Sequence, residues 1–325
     1  MALDLALSTL LSPVVLFFVL GLLAALARSE LTFPEAISKG LAIYLMMAIG
    51  LKGGFEMAKS GLTPDIIRLM IAGVALSFTI PVIAFAALRA TTRLDPVDAA
   101  ATAAHYGSIS IVTFVAATQA VEFAGLKSGG HMVAVAALME TPAIMTALLL
   151  ASRGATKSAT ATRPGELLRE VALNASVVVL VGALLIGWIT GEAGEKRVGG
   201  VFITPLQGVL CLFLLDMGLA AGRGLRNGWR TLSAATIAFG VYMPLVSAAL
   251  AAAAAYLLGL SAANAAIFIT LAASASYIAV PAAMRLALPK ARPAVYLTLS
   301  LGVTFPFNLT FGIPLYIYVA ELVAR

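Results

Sequence analysis

The sequence predicts an all-α polytopic membrane protein: ten transmembrane helices in a 5+5 inverted repeat, two of them broken and crossing. Three features carry that expectation. They are the composition, a set of short motifs that recur at a nearly constant offset, and two polar interruptions at matching places in the halves. Hydrophobic residues make up 61% of the chain and charged residues 11%, with a mean hydropathy of +1.02. Soluble domains average about 45–50% apolar and about 25% charged. The single cysteine, Cys211, leaves no partner for an intramolecular disulfide and no cysteine cluster for a metal. Twenty-eight glycines suit close helix packing in lipid.

Each span needs about 20 apolar residues. On that basis the segments fall at 11–27, 36–51, 66–88, 97–122 (broken), 131–151, 168–190, 202–221, 231–258, 262–287 (broken) and 294–320. The first follows Asp4 without a basic run, so it is expected to be a retained helix rather than a cleaved signal. The longest polar connection, Ser152 to Arg169, has small and basic residues but no apolar period. The chain therefore divides into a first five-helix repeat (1–151), a cytoplasmic linker (152–167) and a second, inverted repeat (168–325).

The halves resemble each other. Gly50-Leu-Lys-Gly-Gly54 matches Gly218-Leu-Ala-Ala-Gly222 at an offset of 168. Asp98-Ala-Ala matches Asn264-Ala-Ala, and Ser108-Ile-Ser110 matches Ser274-Ala-Ser276, both at 166. Thr141-Pro142 lies near Phe305-Pro306 at 164. Similar offsets across several matches point to an internal repeat. An odd number of spans per repeat turns the second half upside down in the bilayer. The Gly50 and Gly218 motifs have a small-xxx-small form and read as helix-packing faces.

Basic residues set the orientation. With the linker in the cytoplasm, fourteen Lys and Arg lie inside, among them Arg28, Arg89, Arg153, Arg223 and Arg292. Seven lie outside: Lys52, Lys59, Arg68, Lys127, Lys196, Arg197 and Arg325. This is the positive-inside bias, and it places both termini outside. The net charge of +6 follows from topology and implies no nucleic acid.

The interruptions are Gly107-Ser-Ile-Ser-Ile-Val-Thr113 and Ala273-Ser-Ala-Ser-Tyr-Ile-Ala279. Non-helical backbone inside a membrane survives only where it is buried in protein or lines a cavity, because an unpaired amide there costs several kcal/mol. Paired interruptions in two halves point to a transporter binding site. Half-helix amino ends attract small anions, and Ser and Thr hydroxyls both donate and accept. Gly107, Ser108, Ser110, Thr113, Ser274, Ser276 and Tyr277 are therefore the candidate anion site, with Tyr277 narrowing or capping it. A carboxylate inside the membrane faces a cavity or a partner. Glu140, with Thr141 and the carbonyls freed by Pro142, makes a candidate Na⁺ or H⁺ site, joined from the other half by the neutral oxygens of Asn308 and Thr310. His105 and Asp216 are candidate proton-linked groups, Asp216 within reach of Arg223 or Arg226, and His131 is expected in an exposed loop. The sequence contains no Walker loop, zinc motif or Gly-x-Ser-x-Gly elbow.

On these residues the chain resembles the sodium-dependent bicarbonate transporter family (the cyanobacterial SbtA type and its wider bacterial relatives), as a divergent member. The likeness rests on Pro34-Glu-Ala-Ile-Ser38 leading into Ile49-Gly-Leu-Lys-Gly-Gly54, Gly107 to Ala117, Met139-Glu-Thr-Pro-Ala143, Ala273 to Arg285 and Ile313-Pro-Leu315. It implies core and gate subdomains, a homotrimer, Na⁺-coupled bicarbonate uptake at the bacterial inner membrane, anion binding between the broken helices and, in one branch, a PII-like cytoplasmic regulator. Where the cyanobacterial pattern reads Ser-Gly-Ser-Thr, this chain has Ser110-Ile-Val-Thr113. Where a serine run leads into Asp, this chain has Ser274-Ala-Ser276 and Tyr277. The family's Asp before the fifth-helix proline is Glu140 here. The expected function is thus Na⁺-coupled uptake of bicarbonate or a similar monovalent anion, without a cofactor or a metal beyond transported Na⁺. Proton-coupled carriage of another small anion or carboxylate, a non-transporting membrane regulator, and an intramembrane hydrolase built on Ser110 and His105 are the rivals.

Overall fold

The computed structural model describes residues 11–140, 142–154, 175–228, 232–277, 280–281, 284, 288 and 290–324. Regular structure among them is all helical. The helices are α1 (Pro13–Leu26), α2 (Glu35–Ser60), α3 (Pro64–Thr91), α4 (Pro96–Gly107), α5 (Ile111–Phe123), α6 (His131–Glu140) and α7 (Pro142–Gly154). After residues 155–174 come α8 (Ala175–Phe202), α9 (Leu206–Gly228), α10 (Ala234–Leu258), α11 (Ala262–Ala273) and α12 (Pro293–Val323). Most of the predicted linker therefore lies outside the described residues.

The starts of several helices follow directly from sequence. Ser12, Thr63 and Asp95 each accept a hydrogen bond from a first-turn amide, and each is followed by proline at the first helical position. Such residues satisfy orphan amides while proline has none to lose. Ser233 and Ser261 cap α10 and α11 in the same way.

Seven helices among the described residues are long and apolar enough to cross a membrane, counting α4 and α5 together as one. Pro13–Leu26, His131–Ala147 and Ala262–Ala273 are shorter apolar helices. The second helix runs past its predicted end at residue 51 to Ser60. Its added turns are polar, and ion pairs hold them: Lys52 with Glu122, and Lys59 with Glu56 and with Glu195 at 2.9 Å. The apolar part of α8 ends near its predicted limit, where the backbone leaves helical geometry at Gly191 and a charged stretch begins.

The helices sort into two bundles by contact. In one, α1 lies along α9 and α2 along α8. In the other, α3 packs with α4, α6, α7 and α10, while α11 packs with α5, α10 and α12. The bundles meet where α2 and α8 touch α6 and where α9 touches α12.

Gly50 and Gly218 are the contact points inside the first bundle, in agreement with the packing role expected for their motifs. A Cβ on Gly218 would collide with the Phe18 carbonyl and lie 2.8 Å from the Leu22 nitrogen. One on Gly50 would lie 2.7 Å from the Leu180 carbonyl. Because the obstacles are backbone, the helices themselves must separate. Gly218→Ala is expected to lower the melting temperature of the detergent-solubilised protein, by the roughly 1–3 kcal/mol of an overpacked core. Gly208→Ala, with open space around it, should leave melting unchanged.

Both predicted interruptions are present. α4 stops at Gly107, and extended residues Ser108 and Ser110 precede α5. α11 stops at Ala273 and is followed by non-helical Ser274 to Tyr277. Each leading half-helix has 12 residues, about 18 Å, roughly half of a ~30 Å hydrocarbon core plus headgroup depth. α12 carries two wide π turns, Ser300–Thr304 and Asn308–Gly312, either side of Pro306. Such turns arise where the regular hydrogen-bond ladder is interrupted.

Candidate functional site

The two interruptions are joined to each other. The Ser110 amide donates to the Ser274 hydroxyl at 2.9 Å, and the Ser276 amide donates to the His105 carbonyl at 2.7 Å. The His105 ring meets the Ser276 carbonyl through Nδ1. All four of these residues are buried, so the polar backbone freed by each break finds its partner in the other.

Supporting bonds come from neighbouring helices. The Ser77 hydroxyl of α3 donates to the carbonyls of Gly107 and Met139, at 3.0 and 2.6 Å. Gly107 has no room for a side chain: a Cβ would strike the Pro81 ring and lie 2.9 Å from Ala143. Asn308, inside the second π turn, donates to the Ala273 carbonyl at 2.8 Å and accepts from Tyr316. It thereby satisfies an end carbonyl of α11, which has no partner of its own.

A small cavity opens at this crossing. Ser110, Ser276, Tyr277 and Glu140 supply its polar lining. Ile111 and Val112, the first residues of α5, also border it, and amides in the first turn of a helix have no intrahelical partner. Ser110 caps that turn, its hydroxyl accepting from the Thr113 amide at 3.2 Å. The opposite wall belongs to the other bundle: Ala42, Leu45 and Met46 of α2 and Phe213 of α9. Glu140 lies in the apolar helical segment His131–Ala147, two residues before Pro142, and its Oε2 is buried with no hydrogen-bond partner among the described residues. Amides at one edge suit an anion, and a carboxylate at another suits a cation.

The remaining predicted residues take other places. Ser108 ends α4 with its hydroxyl buried and without a partner among the described residues. Thr113, Ser274, Gly107 and His105 surround the crossing without bordering the cavity. The Asn308 side chain is engaged as described, and the Thr310 hydroxyl bonds back to the Pro306 carbonyl at 2.7 Å. Neither borders the cavity that holds Glu140. Thr141 lies outside the described residues. Asp216 is buried within α9 and has no hydrogen bond or ion pair among the described residues. Arg226 reaches the Ala25 carbonyl instead. His131 is not in an exposed loop: it is buried at the start of α6, its ring folded over Gly129, where no side chain blocks it. No hydrogen bond joins Ser110 to His105.

The Na⁺-dependent bicarbonate transporter superfamily model matches residues 13–321, nearly the whole chain. The chain belongs to that superfamily. A family of transporters accounts for a largely apolar cavity with a few polar residues among membrane helices, and with the apolar helices it makes this member of the Na⁺-dependent bicarbonate transporter superfamily a multi-pass membrane protein. No curated protein matches the chain. Leu45, Met46 and Phe213 are among the apolar wall residues that sequence reasoning missed. An apolar side chain facing a cavity has the same sequence signature as one facing lipid.

Proposed function

We propose that this protein is a secondary carrier, not an enzyme, that brings bicarbonate or a similar small monovalent anion inward with Na⁺ across a bacterial inner membrane. The single observation that supports it is the gathering of Ser110, Ser276, Tyr277 and Glu140 around one cavity at the helix crossing. Hydroxyls and the first amides of α5 would hold the anion. Glu140, with the carbonyls freed by Pro142, would hold the cation. In a low-dielectric site each ion is costly to desolvate without the other, which couples their movement.

We read the chain as two inverted five-helix repeats, 1–151 and 168–325. Reciprocal contacts support this: α1 packs on α9 as α8 packs on α2. Asp98 accepts the Arg292 amide at 2.7 Å, just as its counterpart Asn264 accepts the Gly129 amide at 2.8 Å. Alternating access would then be a rocking of the α1, α2, α8, α9 bundle against the other. Both termini lie outside in this reading. Homotrimeric assembly and a PII-like regulator complete the proposal and rest on the family resemblance alone.

The Lys52–Glu122 ion pair bridges the two bundles from α2 to α5. Both side chains are partly exposed, so the pair is worth at most about 1 kcal/mol and can break in every cycle. With Cys211 replaced by alanine, a short bis-maleimide linking Lys52→Cys to Glu122→Cys is expected to stop uptake. Each single-cysteine variant, treated alike, should keep transporting. Full uptake by the cross-linked protein would contradict rocking.

Uptake of labelled bicarbonate into proteoliposomes, with Na⁺ and pH gradients imposed separately, tests the assignment. An inward Na⁺ gradient should drive accumulation at constant pH. Accumulation driven only by a proton gradient would favour the second reading, proton coupling. The unpartnered Glu140 Oε2 supports that reading better than Asp216 or His105 does, since neither borders the cavity.

A further inference from the structure

We infer that His105 is a positioning residue for the anion site, acting as a neutral clamp on Ser276 rather than as a proton carrier. This rests on the reading of the cavity given above. His105 binds both backbone groups of Ser276: its own carbonyl accepts the Ser276 amide at 2.7 Å, and its Nδ1 meets the Ser276 carbonyl. A carbonyl oxygen only accepts, so Nδ1 carries a proton, and in the neutral ring Nε2 does not. The side chain thus supplies the donor that a second strand would supply in a sheet.

With its N–H and C=O both held, Ser276 has little freedom of φ and ψ. Its hydroxyl, and Tyr277 beside it, are thereby fixed at the cavity wall. The clamp is itself fixed. His105 is fully buried, and its ring stacks on Tyr296 with centroids 4.7 Å apart. Nε2 is buried, has no partner among the described residues and does not border the cavity. A proton taken up there would meet no acceptor among the described residues and would lie off the cavity, so this geometry offers the imidazole no relay.

Replacement separates the two roles, because Asn places an amide N–H near the Nδ1 position whereas Gln places one near Nε2. His105→Asn is expected to hold the KM for bicarbonate within about threefold of the original, whereas His105→Leu and His105→Gln raise it roughly tenfold, as loss of a buried hydrogen bond does. The pH profile of uptake should be the same for His105→Asn and the unaltered protein. Hydrogen–deuterium exchange across residues 273–277 gives a readout independent of transport. It should be roughly tenfold faster in His105→Leu than in the unaltered protein, and restored in His105→Asn.

Loss of uptake in a folded His105→Asn, or rescue by Gln rather than Asn, would overturn the assignment. So would equal exchange rates in the Asn and Leu variants. If the unaltered protein moves no bicarbonate, the transport reading fails by itself. The exchange comparison still decides whether the clamp exists.

Discussion

Na⁺-driven bicarbonate uptake is expected to fall to background in Glu140→Ala, in protein that remains folded. Glu140 is the charged residue bordering the cavity, and its neighbours there are hydroxyls and apolar groups. Truncating one partner of a buried charge pair costs about 2–5 kcal/mol, which would place Na⁺ affinity far outside the working range. The stability effect has a definite sign. Oε2 has no partner among the described residues, and a lone buried carboxylate is costly. Glu140→Ala should therefore melt no lower than the original in Na⁺-free buffer. The difference should emerge on adding Na⁺, which raises the melting temperature of any protein that binds it only when folded. A Na⁺-dependent upward shift is expected for the original and none for Glu140→Ala. Equal shifts in both would remove Glu140 from the cation site.

Ser110→Ala is expected to weaken anion binding tenfold or more and to destabilise the protein by about 1 kcal/mol, the usual value of a helix cap. The residue has two roles. Its hydroxyl caps α5 through the Thr113 amide and borders the cavity, whereas its backbone amide ties the first interruption to Ser274. Alanine keeps the amide bond and loses only the hydroxyl. Without the cap, the first turn of α5 frays and its anion-facing amides lose their fixed direction. Ser110→Thr retains an oxygen at the same position and should recover most of the affinity and stability. Thermal melting in a bicarbonate series, compared across the three proteins, measures both effects together. A Ser110→Ala protein with unchanged bicarbonate dependence would put the anion elsewhere.

Both interruptions were legible because small polar residues stand out in apolar surroundings, and the cost of bare backbone in lipid gives their pairing a meaning. Helix starts were equally legible where a capping side chain precedes proline, as at Ser12, Thr63 and Asp95. Helix ends were less so. Hydropathy marks the end of an apolar stretch, whereas α2 continues through Lys52, Glu56 and Lys59 because ion pairs to Glu122 and Glu195 hold its polar turns. The π turns of α12 depend on packing around Pro306 and Asn308, which no local pattern announces.

Of the residues bordering the cavity, Ser110, Ser276, Tyr277 and Glu140 stand out in the sequence by chemistry that is unusual inside a membrane. The role of Asn308 was not, because its partner, the Ala273 carbonyl, is 35 residues away. Nor was the burial of His131, which depends on the bare surface of Gly129.

Linkage between the two ions tests the central claim most directly. Bicarbonate affinity can be titrated calorimetrically at several Na⁺ concentrations, and Na⁺ affinity at several bicarbonate concentrations. If one cavity holds both ions, each tightens the other, and thermodynamic reciprocity requires the same factor in both directions. Glu140→Gln should abolish that factor while leaving some bicarbonate affinity. Bicarbonate binding that is indifferent to Na⁺ in the unaltered protein would contradict the account.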